Sequence, residues 1–149
     1  LRIFLEILIQ ASCASKKLTG PQYTVLEKVA KTLGFRRVEL DFLIITFEAE
    51  QRFRHGRSQQ NANRGRQRQQ QTRSSYSVKA ELEDAYKILG IKSSDDAKMI
   101  KKAYRKQMSL HHPDKMASKG LPKQALELAK QKAQDIQSAY ELVRKQKQI

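Results

Sequence analysis

The residues of this chain best suited to chemistry lie together in the segment LHHPDK, residues 110–115. Two imidazoles beside a carboxylate could bind a metal ion or transfer a proton. A zinc site needs three or four His, Cys or acidic ligands, whereas adjacent residues on a helix point about 100° apart. The only other histidine of the chain, His55, lies more than 50 residues before this segment. We therefore predict no metal site and no cofactor here.

The rest of the chain lacks the residue patterns of the common catalytic centres. Cys13 is the only cysteine, which excludes a disulfide framework and a cysteine-based zinc site. There is no Gly-x-Ser-x-Gly motif, no glycine-rich phosphate loop and no evident pair of catalytic carboxylates. The sequence therefore predicts a protein that is not an enzyme.

The alternative is that LHHPDK forms a rigid recognition turn. Pro113 disfavours helical backbone geometry at the preceding residue, so a helix should end at His112. Asp114 can hydrogen-bond to nearby backbone groups and hold the turn. The result is a fixed corner that presents an imidazole and a carboxylate to another protein.

The helix that leads into this turn has two contrasting faces. Its sequence predicts a helix from about Asp95 to His111, and placing its residues at 100° intervals separates them into two sets. The basic set is Lys98, Lys101, Lys102, Arg105 and Lys106, and the opposite set is Met99, Ile100, Ala103, Tyr104, Leu110 and His111. One face is therefore positively charged and the other is apolar.

Two further helices complete this part of the chain. A short helix over Leu82–Leu89 should end at Gly90. From Pro122 to about Lys145, apolar residues recur every three or four positions, which predicts a long helix packed along one partner. Residues 82–149 are thus predicted to form a short helix followed by an antiparallel helical hairpin with LHHPDK at its tip.

The first third of the chain predicts a partial helical domain. Apolar residues recur at helical spacing over residues 2–14, 21–33 and 38–53, with Gly34 as a C-terminal cap. Three short helices bury little apolar surface, so we expect an N-terminal portion of this domain to lie outside the sequence. No segment has the alternating pattern of a strand, and the predicted fold class is all-α.

Residues 54–81 differ in composition from both neighbouring regions. Residues 54–77 contain six Gln, six Arg and no acid. Such a segment buries too little apolar surface to offset the entropy of ordering, which predicts a disordered linker. The predicted organisation is therefore a helical domain over 1–53, a linker over 54–81 and a second domain over 82–149.

The formal net charge of +15 is concentrated in the middle and C-terminal parts of the chain. Residues 52–81 hold 8 Lys and Arg against 1 acid, and residues 82–149 hold 15 against 8. A basic excess indicates an acidic partner. One hypothesis is therefore salt-sensitive, sequence-independent binding of nucleic acid or anionic lipid through the arginines of residues 54–73.

The segments around LHHPDK resemble a known family. EDAYKILGI, then IKKAYRK before the turn and AYELV after it, make nearly all of residues 82–149 similar to the J domain of DnaJ-type co-chaperones. The resemblance implies that this part docks on a DnaK-class chaperone and stimulates its ATP hydrolysis. By position, the family's trigger motif falls on His112, Pro113 and Asp114. The other implied contact positions are Lys101, Tyr104, Arg105, Lys106 and Lys115.

Two residues depart from the pattern of the J domain. Gln107 lies on the apolar face where J domains usually carry Leu, and burying its amide without a partner costs roughly 1–3 kcal/mol. Ala133 replaces an aromatic residue that is common in the family. Neither change affects the motif, so the implied function is kept and a lower stability is expected.

The segments LRIFLEILIQASCAS and LTGPQYTVLEKVAKTLGF resemble the C-terminal half of a TerB-like helical domain. A TerB-like domain, a Gln-rich linker and a terminal J domain occur in this order in a bacterial family of DnaJ-like regulatory co-chaperones linked to envelope stress. The resemblance implies an inner-membrane anchor upstream of Leu1, with this portion facing the cytoplasm, and a dimer through that anchor. It leaves the partner of the N-terminal domain unknown. Because the loop ASCASKKLTG has no Asp or Glu, we expect no metal site in the TerB-like part.

Overall fold

A computed structural model describes residues 1–14, 17–63 and 71–149, and the side chains of all of these except residues 59–63 and 71–77. This part of the chain contains seven helices and no strand, which confirms the all-α fold. The helices are α1 (Arg2–Ser12), α2 (Gly20–Thr32), α3 (Arg37–Asn63), α4 (Gln71–Leu89), α5 (Ala97–His111), α6 (Pro113–Ser118) and α7 (Lys123–Lys147).

The helical hairpin predicted for the second half is present. α5 and α7 pack along each other, and α4 packs against both. The carboxylate of Asp96 caps α5 by accepting a hydrogen bond from the backbone N–H of Met99 at 2.8 Å. The segment after the turn, expected to be a loop, instead forms the short helix α6. The residues around LHHPDK are therefore helical on both sides.

The core of the hairpin fixes the relative orientation of its helices. Leu89, Ile100 and Ile136 are buried in one cluster with Ile88 and Val143. Beside this cluster, the rings of Tyr104 and Tyr140 stack with their centroids 4.2 Å apart. The face of α5 that carries Ile100 is thus held against α7, which leaves the opposite face at the surface.

The structure corrects the prediction of a disordered linker over residues 54–81. α3 continues to Asn63 and α4 begins at Gln71, so residues 54–63 and 71–81 are helical. Gln and Arg are good helix formers, and α3 gains tertiary contacts that composition does not reveal. Phe53 is buried, and the guanidinium of Arg54 lies 2.6 Å from the carboxylate of Asp135 on α7. Residues 64–70 of the predicted linker lie outside the described residues.

The N-terminal helices form their own cluster and also pack on the hairpin. Their cluster comprises Leu5, Ile9, Leu26, Ala30, Leu40, Leu43, Ile44 and Phe47. Ala49 and Phe53 of α3 lie in the core of the hairpin, and Ile3 of α1 packs with Ala125 and Leu128 of α7. The sequence left open whether the two parts touch. In the structure they share a buried interface.

Gly90 offers a test of how closely the two parts pack. It follows α4 with φ = 69°, and a Cβ atom there would lie 3.3 Å from Cζ of Phe42 on α3. Because alanine disfavours the left-handed region, we expect Gly90→Ala to lower the free energy of unfolding by about 1–2 kcal/mol. Equilibrium unfolding in urea measures this loss.

Gly34→Ala is the matched control for Gly90→Ala. Gly34 has φ = 86°, but a Cβ atom there would meet nothing within 4 Å. It therefore carries the backbone cost without the contact to Phe42. If Gly90→Ala cost less than Gly34→Ala, the close packing of Phe42 against the end of α4 would be contradicted.

Candidate functional site

The turn between α5 and α6 has the geometry that Pro113 requires. His112 ends α5 in an extended conformation, with φ = −65° and ψ = 126°, and Pro113 is the first residue of α6. Nδ1 of His112 accepts a hydrogen bond from the backbone N–H of Asp114 at 3.2 Å. The imidazole therefore caps α6 while Pro113 sets the corner.

The structure assigns the capping role to His112, whereas the sequence suggested Asp114. The carboxylate of Asp114 is 92% exposed and lies 3.8 Å from Nδ1 of His112. An Nδ1 that accepts carries no proton, so the ring proton of the capping form is on Nε2. The turn thus offers an N–H donor from His112 and a solvent-facing carboxylate from Asp114.

Lys115 ties the turn back to the preceding helix. Its ammonium donates a hydrogen bond to Oγ of Ser109 at 2.7 Å, and the hydroxyl of Ser118 donates to its backbone carbonyl at 2.8 Å. Ser109 was not singled out from the sequence, because a serine six residues away carries no local signal for this contact. Lys115 therefore supports the turn in addition to carrying charge beside it.

The basic face of α5 is exposed as predicted. It comprises Lys98, Lys101, Lys102, Arg105 and Lys106. Within the described part of the chain, none of these five side chains has an acidic group within ion-pair distance. With a rise of 1.5 Å per residue, this face ends roughly 10 Å from the turn. A face that carries only positive charge attracts an acidic surface of another protein and orients it relative to the turn.

Tyr104 occupies a different place from the other predicted contact residues. Its ring stacks on Tyr140 and packs against the core of the hairpin. Most of this side chain therefore holds α5 against α7. The structure brings His112, Pro113, Asp114 and Lys115 together at the turn, and it keeps Lys101, Arg105 and Lys106 on the exposed face of α5.

His111 is buried, and both of its ring nitrogens have partners. Nδ1 lies 3.1 Å from the backbone carbonyl oxygen of Gln107, and Nε2 lies 3.1 Å from Oε1 of Glu6 on α1. Burial alone would raise the pKa of Glu6, but His111, Lys132 and Arg2 outweigh it and lower that pKa to about 2. Glu6 is 105 residues away, so local sequence patterns give no sign of this contact.

Among the described residues, no three His, Cys, Asp or Glu side chains are grouped so that they could hold a metal ion. No helix in the same part of the chain has the length and hydropathy needed to cross a bilayer.

Comparison with known proteins identifies the hairpin. Residues 84–149 match the DnaJ domain family. Over 147 residues, or 99% of this chain, the sequence is 46% identical to co-chaperone protein DjlA of Salmonella typhimurium and 45% identical to that of Escherichia coli K12. The corresponding protein of Yersinia pestis is 43% identical over the same length.

These matches cover almost all of this chain but only part of each relative. The chain spans about half, 52%, of the length of these relatives. No solved structure matches it. Residues 84–149 therefore form a DnaJ domain, and the chain as a whole is a relative of co-chaperone protein DjlA.

Proposed function

We propose that this chain is a regulatory co-chaperone that recruits a DnaK-class chaperone through its DnaJ domain and stimulates ATP hydrolysis by that chaperone. The observation that carries the proposal is the turn of His112, Pro113 and Asp114, which lies at the end of a helix whose basic face is exposed. The name of the relatives, co-chaperone protein DjlA, supports the same role. The DnaK-class partner carries out the hydrolysis, so this chain needs no catalytic residues.

The two parts of the site have different tasks in this mechanism. Exposed charges contribute mainly to the rate of encounter and to orientation, because water and salt screen them. The basic face of α5 therefore brings an acidic surface of the chaperone into register. The fixed turn then supplies directional contacts through Nε2–H of His112 and the carboxylate of Asp114, which favour the hydrolysing state of the partner.

We also propose that the whole protein acts at the cytoplasmic face of the inner membrane and that its N-terminal domain binds a further partner. These statements rest on the resemblance to TerB-like, membrane-anchored DnaJ-like proteins. Fractionation of cells that express the full-length protein, followed by protease treatment from each side of the membrane, tests them. Recovery in the soluble fraction would contradict the proposed location.

The basic face gives the first test of the proposed mechanism. We expect Lys101→Glu combined with Arg105→Glu to raise the concentration of this chain needed for half-maximal ATPase stimulation by about tenfold at low ionic strength. The difference from the wild type should shrink as salt is added, because the screening length falls from about 10 Å at 0.1 M to about 3 Å at 1 M. Single-turnover ATP hydrolysis by DnaK measures both effects.

Lys123→Glu combined with Lys130→Glu is the matched control. These lysines are exposed on α7, the other long helix of the hairpin. The control changes the net charge by the same amount but leaves the face of α5 intact. Equal losses in the two double variants would contradict a specific role for that face.

The alternative of nucleic-acid or lipid binding through the arginines of residues 54–73 is not proposed. Arg54, the first of them, is 19% exposed and donates two hydrogen bonds to Asp135. The guanidinium of Arg57 lies over the ring of Phe53, 5.6 Å from its centroid. Both arginines of this set whose side chains the structure describes therefore contact other side chains, although Arg57 remains exposed. A mobility shift that persists at physiological salt and is lost on deletion of residues 64–70 would revive the alternative.

A further inference from the structure

Helix α1 contacts the tip of the hairpin from both sides of the turn. On one side, the carboxylate of Glu6 meets His111, the last residue of α5. On the other side, Ile3 packs with Ala125 and Leu128 at the start of α7. The segment that carries His112 is therefore anchored at both of its ends to the same N-terminal helix.

The hydrogen bonds of His111 fix the orientation of its ring. The carbonyl oxygen of Gln107 can only accept a hydrogen bond, so Nδ1 of His111 donates to it. Nε2 pairs with Oε1 of Glu6 at 3.1 Å. This contact is shielded from solvent, since Glu6 is only 4% exposed and His111 is buried as well.

The other charged groups around Glu6 keep it ionised and leave His111 as its partner on α5. Nε of Arg2, one turn earlier on α1, lies 3.1 Å from the same oxygen, Oε1. Lys132 of α7 acts from farther away, and Lys119 lines the small cavity between α1 and the turn. Oε2 of Glu6 is buried without a hydrogen-bond partner in the described part of the chain. The interaction between α1 and the end of α5 is therefore directional, because it runs through one oxygen and one ring nitrogen.

We infer that Glu6 is a positioning residue for the chaperone-activating turn, acting through His111 to hold His112, Pro113 and Asp114 in their active arrangement. This inference rests on the proposed co-chaperone function and extends it. A ring fixed at both nitrogens cannot rotate, and its backbone directly precedes His112. The N-terminal helices are then part of the activating unit, and a partner that moved α1 would change the activity of the DnaJ domain.

The test compares Glu6→Gln with the wild-type chain in single-turnover ATP hydrolysis by DnaK. A glutamine keeps the shape of the side chain but removes the carboxylate that pairs with Nε2 of His111. Small misplacements of an activating group cost far more in rate than in binding, so we expect maximal stimulation to fall at least about fivefold. The half-maximal concentration should stay within about twofold of the wild type, because the basic face of α5 is unchanged.

Leu5→Ala separates positioning from a loss of stability. Leu5 is a fully buried neighbour on α1 that packs in the N-terminal cluster and does not contact the turn. At matched folded fractions, Leu5→Ala should retain maximal stimulation while Glu6→Gln loses it. Equal losses in the two variants, or an unchanged maximum in Glu6→Gln, would overturn the inference.

A second readout does not depend on the chaperone. In nitrogen-15 NMR, the ring resonances of His111 should differ between the wild-type chain and Glu6→Gln, because the hydrogen-bond partner of Nε2 changes. The amide resonance of Asp114, which reports the hydrogen bond to His112, should shift in the same variant. If the wild type failed to stimulate hydrolysis but these signals changed as expected, the proposed function would fail and the positioning role would stand. Unchanged signals would overturn the positioning role itself.

Discussion

Replacement of His112 by Gln is expected to abolish stimulation of ATP hydrolysis while leaving the chain folded. The glutamine oxygen can still accept a hydrogen bond near the backbone N–H of Asp114, but the substitution removes the ring and its Nε2–H donor. Because His112 caps α6 and its side chain is 43% exposed, its loss should lower the free energy of unfolding by only about 1 kcal/mol. The measurement is single-turnover hydrolysis by DnaK, with urea unfolding of each variant in parallel.

His55→Gln is the matched control for this experiment. It makes the same replacement at an exposed histidine on α3, away from the turn. Stimulation should survive in His55→Gln and fall to the basal rate of DnaK in His112→Gln. A folded His112→Gln chain that stimulates as well as the wild type would rule out the turn as the activating element. A folded wild-type chain that gives no stimulation would contradict the co-chaperone function itself.

The parts of this fold that the sequence predicts well are those set by neighbouring residues. The two faces of α5 follow from helical spacing, and the end of α5 follows from the effect of Pro113 on His112. The hairpin follows from the apolar pattern of α7. These features depend on contacts between residues close in sequence, or on the regular packing of one helix along another. A pattern of residue types is therefore enough to predict them.

The parts that the sequence does not predict depend on contacts between distant segments. Composition indicated disorder after residue 53, yet Arg54 pairs with Asp135, 81 residues later, and helps to hold α3 against α7. The contact between Glu6 and His111 is equally invisible in the local pattern. At the turn, the sequence suggested that Asp114 makes the hydrogen bond to the backbone, whereas in the structure the imidazole of His112 accepts it. Helix propensity and charge are local properties, whereas partner choice depends on the tertiary fold.

The interface between the two halves contains a buried ion pair with a large expected effect on stability. Nζ of Lys132 on α7 lies 2.9 and 3.0 Å from the two carboxylate oxygens of Glu50 on α3, and both side chains are almost fully buried. Arg54 lies 4.0 Å from the same carboxylate. Burial raises the pKa of Glu50, and Lys132 opposes that rise without cancelling it. Removal of either side chain would therefore leave the charge of the other buried without its main partner.

Lys132→Met is expected to lower the free energy of unfolding by about 3–5 kcal/mol, because it leaves the Glu50 carboxylate buried without its nearest cation. The double variant Lys132→Met with Glu50→Leu removes both charges and should recover most of that loss. Urea unfolding of the wild type, both single variants and the double variant gives the coupling between the two side chains. Arg36→Met, which breaks an exposed pair with Glu39, should leave the urea midpoint nearly unchanged.

The pH dependence of the single variant provides a further check on the same pair. A carboxyl group whose pKa is raised on folding opposes folding when it is charged, and this cost disappears as the pH falls through the raised value. Without Lys132, the pKa of Glu50 should rise further. The stability gap between Lys132→Met and the wild type should therefore narrow as the pH is lowered from 7 toward the ordinary value of 4.5. A gap that stays constant or widens would show that the destabilisation has a cause other than the stranded charge. In that case, the double variant should be no more stable than the single one, and the packing of Ala49 and Phe53 would be the main connection between the two halves.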